Sequence, residues 1–253
     1  MIWKLAAASV RGSGHVASGK PNQDAFDACC FDSPEGPAVV FALSDGAGSS
    51  GRSEEASARV VSILVRLVLE WNRPLEELDH DTVQDWFGTA GTHLASVLTT
   101  EQHCSIEDLY CTALLGIFWP EGGLCAGIGD GAIAVKTASG WHRGTVPDVG
   151  QYAGETFFIN SLDNVRTRLQ FTRFEEPVER VAAFTDGLQP VLLQPGFELH
   201  PPVLELLLHP FSGPAEPATL QPQLEAFLNL PQILERTDDD KTIVLLVWAP
   251  AQG

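Results

Sequence analysis

Four apolar runs in this chain end on aspartate or start from it. Val39-Val40-Phe41-Ala42-Leu43 leads into Ser44-Asp45-Gly46, Leu124-Cys125-Ala126-Gly127-Ile128 into Gly129-Asp130-Gly131, and Val181-Ala182-Ala183-Phe184 into Thr185-Asp186-Gly187. The fourth is mirrored, with Thr237-Asp238-Asp239-Asp240-Lys241 ahead of the run 242–248. Short continuous apolar runs bounded by Gly and Asp suit strands buried on both faces. Such strands would deliver their aspartates to one rim. A carboxylate cluster of that kind repels itself unless cations neutralise it, and hard divalent cations take oxygen ligands on a rigid frame. The competing reading is a set of Asp-Gly hairpin turns. It is strongest at Asp130-Gly131, flanked by strand-like sequence on both sides, and weaker at Asp45-Gly46, where a Gly/Ser loop and a helix follow.

The rest of the chain supplies a frame for those strands. Residues 2–10 and 25–31 read as strands, with a loop over 11–24 between them and a turn at 32–37. After the strand 38–43, Ser53-Glu54-Glu55 opens a helix in which Ala56, Val60, Ile63, Leu64, Leu67 and Val68 recur at three and four. A second helix is predicted over 81–99. The stretch 109–141 breaks into short β runs separated by Gly, Pro and Asp, which predicts an antiparallel meander. Strands follow at 155–159, 169–174 and 178–185, helices at 203–208 and 220–230, and a last strand at 242–248. Two helices set early among many antiparallel strands predict one α+β domain over residues 1–253, a two-sheet β core with helices outside.

With 44% apolar residues, the chain can build a substantial core. Its net charge of −18 argues against nucleic acid and anionic membrane surfaces as partners. Cys29, Cys30, Cys104, Cys111 and Cys125 form no CxxC pair and are odd in number, which fits free thiols in a reducing compartment. No basic segment precedes the first apolar stretch and no apolar run reaches about 18 residues, so a soluble cytoplasmic protein is expected.

Asn22-Gln23-Asp24, Ser44-Asp45-Gly46-Ala47-Gly48, Gly129-Asp130-Gly131, Phe184-Thr185-Asp186-Gly187 and Asp239-Asp240-Lys241-Thr242 resemble, in order and spacing, the motifs of metal-dependent protein phosphatases of type 2C. Gly12-Ser13-Gly14-His15 together with Gln23-Asp24 is similar to a compact bacterial branch of that family. The resemblance implies two antiparallel sheets packed as a sandwich in a four-layer αββα stack. It implies a serine/threonine phosphatase in which two Mn²⁺ or Mg²⁺ ions activate a shared water for in-line attack on phosphorus, with no covalent intermediate. Asp24, Asp45, Asp186 and Asp239 would be the catalytic acids. Asp45 would bridge the ions, the Gly46 carbonyl, Asp186 and Asp239 would ligate directly, Asp24 would hold metal-bound water, and Asp130 would help bind a third ion. Thr112 falls on a strand with a structural role. The expected partners are phosphorylated protein substrates, and the expected state is a monomer.

The sequence departs from the family pattern in three places. Many relatives carry an arginine just before the acidic motif to grip the substrate phosphate. Here the candidates are Lys20, His15 and Arg11, and lysine lacks the bidentate grip. Gln23 stands where many members have glutamate. Ala47 stands where some have a histidine proposed as general acid, which leaves water or His15 for that task. Within Asp238-Asp239-Asp240 the resemblance aligns Asp239 with the ligand, and a shift of one would pass the role to a neighbour. Residues 151–156 are a candidate wall of the substrate groove. These departures motivate a second hypothesis, a regulatory or phosphoprotein-binding module that keeps the fold without turnover. A structural α+β protein whose Asp-Gly pairs are turns is the third.

Overall fold

The computed structural model describes residues 1–98, 104–150, 156–212 and 217–249. One antiparallel sheet holds β2 (Ala25–Ser33), β3 (Gly36–Ser44), β4 (Ala113–Trp119), β5 (Gly122–Ile128) and β8 (Gln170–Phe174), in that order. The other runs β1 (Ile2–Val10), β12 (Lys241–Ala249), β9 (Val178–Phe184), β6 (Ala132–Thr137) and β7 (Gly140–Thr145). A short hairpin, β10 (Leu193–Gln194) with β11 (Glu198–Leu199), stands apart. The helices are α1 (Ser13–Ser18), α2 (Ser53–Leu69), α3 (His80–His93), α4 (Leu162–Arg168), α5 (Gln189–Leu192), α6 (Pro201–Leu208), α7 (Pro217–Leu228) and α8 (Pro231–Leu234). None among the described residues is long and apolar enough to cross a membrane.

The continuous apolar runs arise because both faces of each central strand are covered. In β3, Val39, Phe41 and Leu43 enter the layer between the sheets, whereas Ala38, Val40 and Ala42 face the helices. In β12, Val244 and Leu246 point between the sheets, and Ile243, Leu245 and Val247 point outward under helices. Three apolar layers result. Val60, Leu64, Val68 and Phe87 of α2 and α3 pack on the first sheet. Phe41, Phe118, Val135 and Val181 fill the space between sheets. Leu204, Leu208, Leu224 and Leu228 of α6 and α7 pack on the second. Each fully buried Phe or Leu contributes about 1.5–3 kcal/mol, which fixes the strand ends that carry the aspartates.

Several local expectations give way to long-range contacts. The stretch 109–141 is not one meander: β4 pairs with β5 and β6 with β7, but the chain changes sheet at Gly129-Asp130-Gly131. Gly129 has φ +108, a value that lets the chain turn this corner. Residues 106–109 form a 3₁₀ turn with a capping box between Ser105 and Asp108. The expected loop 11–24 contains α1, because the Gly14 N–H donates to the Asp238 carbonyl at 2.8 Å, a partner more than 200 residues away. Of the strand expected at 155–159, the described part makes a single bridge, Thr156 to Val149. Helix α4, which the apolar pattern does not announce, is capped by Ser161, whose side chain accepts from the Asn164 N–H. The second predicted helix ends at His93 and continues as a π turn over Leu94–Leu98, with residue 99 outside the described residues. Most of the candidate groove wall, 151–155, also lies outside them.

Candidate metal centre

The aspartates meet where the strand ends of the two sheets converge. β3 and β5 lead into Asp45 and Asp130, β9 leads into Asp186, β12 starts after Asp239 and Asp240, and β2 starts after Asp24. Carboxylate oxygens of Asp45, Asp130 and Asp186 all lie within 4.8 Å of one another. They open onto a cleft of about 340 Å³ whose wall also includes His15, Gly46, Ala47, Thr112, Phe158 and Asp239. A larger groove of about 630 Å³ runs between α3 and α4, but its wall, with Thr89, Thr92, Leu162 and Arg166, holds no converging carboxylates.

Threonines beside the strand ends fix these acids. The Asp45 N–H donates to Thr112 Oγ1 at 3.0 Å and the Thr112 N–H donates back to the Asp45 carbonyl at 2.8 Å. Thr185 Oγ1 donates to Asp24 Oδ2 at 2.7 Å and accepts from the Thr242 N–H at 3.1 Å. Thr156 Oγ1 donates to Asp130 Oδ2 at 2.6 Å. The other oxygen of that carboxylate, Asp130 Oδ1, is buried without a protein partner.

The protein alone does not stabilise this much negative charge. Burial pushes Asp45 well above the usual carboxylate range, and Asp24, Asp186 and Asp130 push it further. Burial likewise raises Asp24, against the hydrogen bonds from Thr185 and Thr242. It raises Asp130, and it lifts Asp186 to about 6, with the charges of Asp130 and Asp239 adding to the effect. Beneath the rim, the buried Lys241 ammonium donates to the Asp239 carbonyl at 3.1 Å, and burial pulls it below its ordinary value.

The three acids of the Asp triple have separate surroundings. Asp239 is half-exposed and lines the cleft. Asp240 turns inward and accepts from the Gly12 N–H at 2.7 Å, the Gln23 N–H at 2.6 Å and His15 Nδ1 at 2.8 Å. Asp238 packs beside Gly14. His15 therefore faces the cleft, with Nε2 3.9 Å from Asp239 Oδ1. Lys20 is exposed outside the cleft wall and donates to the Gly48 carbonyl at 2.6 Å. Arg11 Nη2 donates to the His15 carbonyl at 2.9 Å. The Gln23 amide is buried and donates to Ser53 Oγ at 2.6 Å, so its side chain braces the loop after Asp45. Thr156, the last residue of the candidate groove wall 151–156, lines the cleft, whereas Phe158 and the hydrogen bonds of Thr185 escape sequence reasoning because isolated Thr and Phe carry no spacing signal. The Thr-Asp pair at 185–186 was the one available hint.

The donor set fits hard divalent cations. It consists of oxygens from half-buried and buried carboxylates that resist ionising together, and one of those oxygens has no protein partner. The sequence profile of the protein phosphatase 2C family matches residues 11–229. A serine/threonine-protein phosphatase 3 from Escherichia coli K12 is 30% identical over 98% of this chain and 100% of its own length. Among solved structures, the serine/threonine phosphatase Stp1 from Staphylococcus aureus superposes with a TM-score of 0.70 at 14% identity, over 100% of this chain and 96% of its own. The Mycobacterium tuberculosis serine/threonine phosphatase PstP/Ppp does so with a TM-score of 0.66 at 18% identity, over 99% and 100%. At those identities the structural matches speak for the fold, two antiparallel sheets between helical layers. Profile and relative together establish that this chain belongs to the protein phosphatase 2C family.

Proposed function

We propose that the chain is a metal-dependent phosphatase acting on phosphoserine and phosphothreonine in proteins. The observation that carries this is the convergence of Asp45, Asp130 and Asp186 within 4.8 Å, Asp130 buried and the other two half-buried, in the wall of an open cleft. Asp45, the Gly46 carbonyl, Asp186 and Asp239 would hold two Mn²⁺ or Mg²⁺ ions, Asp24 would act through water, and Asp130 would serve a third. Bound there, the cations supply charge neutralisation at the phosphoryl oxygens and an acidified water for in-line displacement. The chain's own part is to hold the acids still. Thr112 clamps the Asp45 backbone on both sides, and Thr185 fixes Asp24. Buried Cys111 and Cys125 have thiols that burial raises, Cys111 to about 12, which suits neither for nucleophilic attack.

The 30% identical relative, a serine/threonine-protein phosphatase covered over its whole length, supports this reading over the module without turnover. Cytoplasmic location and a monomeric state complete the proposal. The test is hydrolysis of a phosphothreonine peptide with added Mn²⁺, comparing the protein with Asp45→Asn and Asp186→Asn. Metal-dependent turnover lost in both variants is expected. Turnover that survives EDTA would overturn the metal role, and tight Mn²⁺ binding without turnover would favour the regulatory module.

A further inference from the structure

One wall of the cleft does not belong with its acids. Phe158 lines it, and the Phe158 ring lies parallel to Tyr110, with centroids 4.9 Å apart and planes 8° apart. Neither ring belongs to any of the three apolar layers, although the adjacent Phe157 packs against one of them. Both rings are half-buried. A stacked aromatic pair outside the core and partly open to water presents apolar area that a partner side chain can cover.

The pair is also held rigid. The Ile159 N–H donates to the Cys111 carbonyl at 3.0 Å, and the Cys111 N–H donates to Asn160 Oδ1 at 3.2 Å. Asn160 Nδ2 donates to the Leu109 carbonyl at 2.9 Å, and Asn164 Nδ2 donates to the Phe158 carbonyl at 3.0 Å. Segments 109–112 and 158–160 are thereby stapled across the stack. The Ala47 N–H donates to the Tyr110 carbonyl at 2.9 Å, which ties the same stack to the loop after Asp45. Five polar ties around two half-exposed rings describe a preformed contact surface, since the ordering is complete before anything binds.

We infer that Phe158, backed by Tyr110, is the specificity-determining surface of this cleft, against which a large apolar or aromatic side chain next to the phosphorylated residue packs. This rests on the phosphatase proposal. A phosphoryl group placed at the acids brings the flanking residue of its peptide to the cleft wall, and Phe158 is the one large apolar side chain among the wall residues of the described chain. The other wall residues are acids, His15, Thr112, Thr156 and the small residues 46–49, none of which is a large apolar side chain.

The experiment measures kcat/KM, with Mn²⁺ saturating, on phosphothreonine peptides that differ only in the residue before or after phosphothreonine: Phe, Leu, Gly or Arg. The native chain is expected to prefer Phe or Leu to Gly at one of those positions by on the order of tenfold, as one side chain packed on an aromatic face provides. The preference should reside mainly in KM. In Phe158→Ala the ratio should fall to within about twofold of unity, and Phe158→Leu should keep part of it, which guards against a folding artefact in the alanine variant. Equal rates on all four peptides, a preference that survives Phe158→Ala, or a preference for Arg would overturn the inference. Failure of the phosphatase proposal looks different: no Mn²⁺-dependent turnover on any peptide.

Discussion

Replacing Asp45 by Asn should stabilise the metal-free protein and abolish its stabilisation by metal. Oxygens of Asp45, Asp130 and Asp186 lie within 4.8 Å of one another, so each ionised pair repels by at least about 3.5 kcal/mol at an effective dielectric constant of about 20. Asp45 takes part in two of the three pairs. Its carboxyl already sits well above its usual range, so protonation relieves part of that repulsion before any mutation. One pair, about 3.5 kcal/mol, is therefore the scale of what Asn removes. For a domain of this size, about 1 kcal/mol moves Tm by roughly 2–4 °C, giving an upward shift of roughly 7–14 °C in EDTA. Mn²⁺ should raise the native Tm, because a ligand that binds only the folded state stabilises it, and should leave Asp45→Asn nearly unmoved. The two melting curves then cross: the variant is the more stable without metal and loses that lead with it. The assay is thermal melting by circular dichroism, with and without Mn²⁺. A variant that melts lower than native in EDTA, with its Mn²⁺ response intact, would refute the view that these acids form a self-repelling cation site.

Three further outcomes follow from the same geometry. Burial lifts the Asp186 carboxyl from the ordinary value of 3.8 to about 6; its stabilising contribution is full below that lower value and lost as pH rises through about 6. Metal-free Tm should therefore fall over that window, whereas protons should weaken apparent Mn²⁺ affinity as pH drops through it, both read from melts across pH. Thr185→Val removes the donor to buried Asp24 and leaves the Thr242 N–H unpaired, for an expected loss of about 2–3 kcal/mol in urea unfolding. In Gly187→Ala the new methyl would collide with the Asp240 carbonyl; a loss of more than about 2 kcal/mol together with a reduced Mn²⁺ response is expected, and a neutral melt would mean the rim is softer than it looks.

Much of the fold was legible because its strands are covered on both sides. That produces unbroken apolar runs, and the ends of β3, β5, β9 and β12 fall where the runs stop. Sheet membership was not legible. The sequence around Gly129-Asp130-Gly131 looks the same whether β5 folds back onto β6 or hands the chain to the other sheet, and pairing with β4, β8, β7 and β9 decides it. Helix α1 was hidden for a related reason: its start is held by the Asp238 backbone, which no local window contains. The same holds for the Asp triple. Asp239 and Asp240 are neighbours in an acidic run, yet one lines the cleft and the other is consumed by two backbone N–H groups and His15.

The glycines after the aspartates resolve the rivalry between turn and rim. A two-residue Asp-Gly hairpin of the favoured type needs positive φ at both central positions. Gly46 and Gly187 are not among the positive-φ residues, and neither joins two paired strands. What they share is lack of room. A Cβ on Gly46 would sit 2.7 Å from the Gln23 carbonyl oxygen and 2.7 Å from Ser53 Cβ, and one on Gly187 would strike the Asp240 carbonyl. In each case the obstructing backbone belongs to a segment next to another acid of the site, Asp24 beside Gln23 and Asp239 beside Asp240. The missing side chain lets two acid-bearing segments approach backbone to backbone, and that approach is what gathers carboxylates from separate strands and both sheets into one cluster. The Asp-Gly pair is thus an acid of the cluster followed by a contact point. The glycine is required because the chain must be crossed closely there, and this requirement is stricter than that of a turn, which Asn or Asp can also satisfy at positive φ.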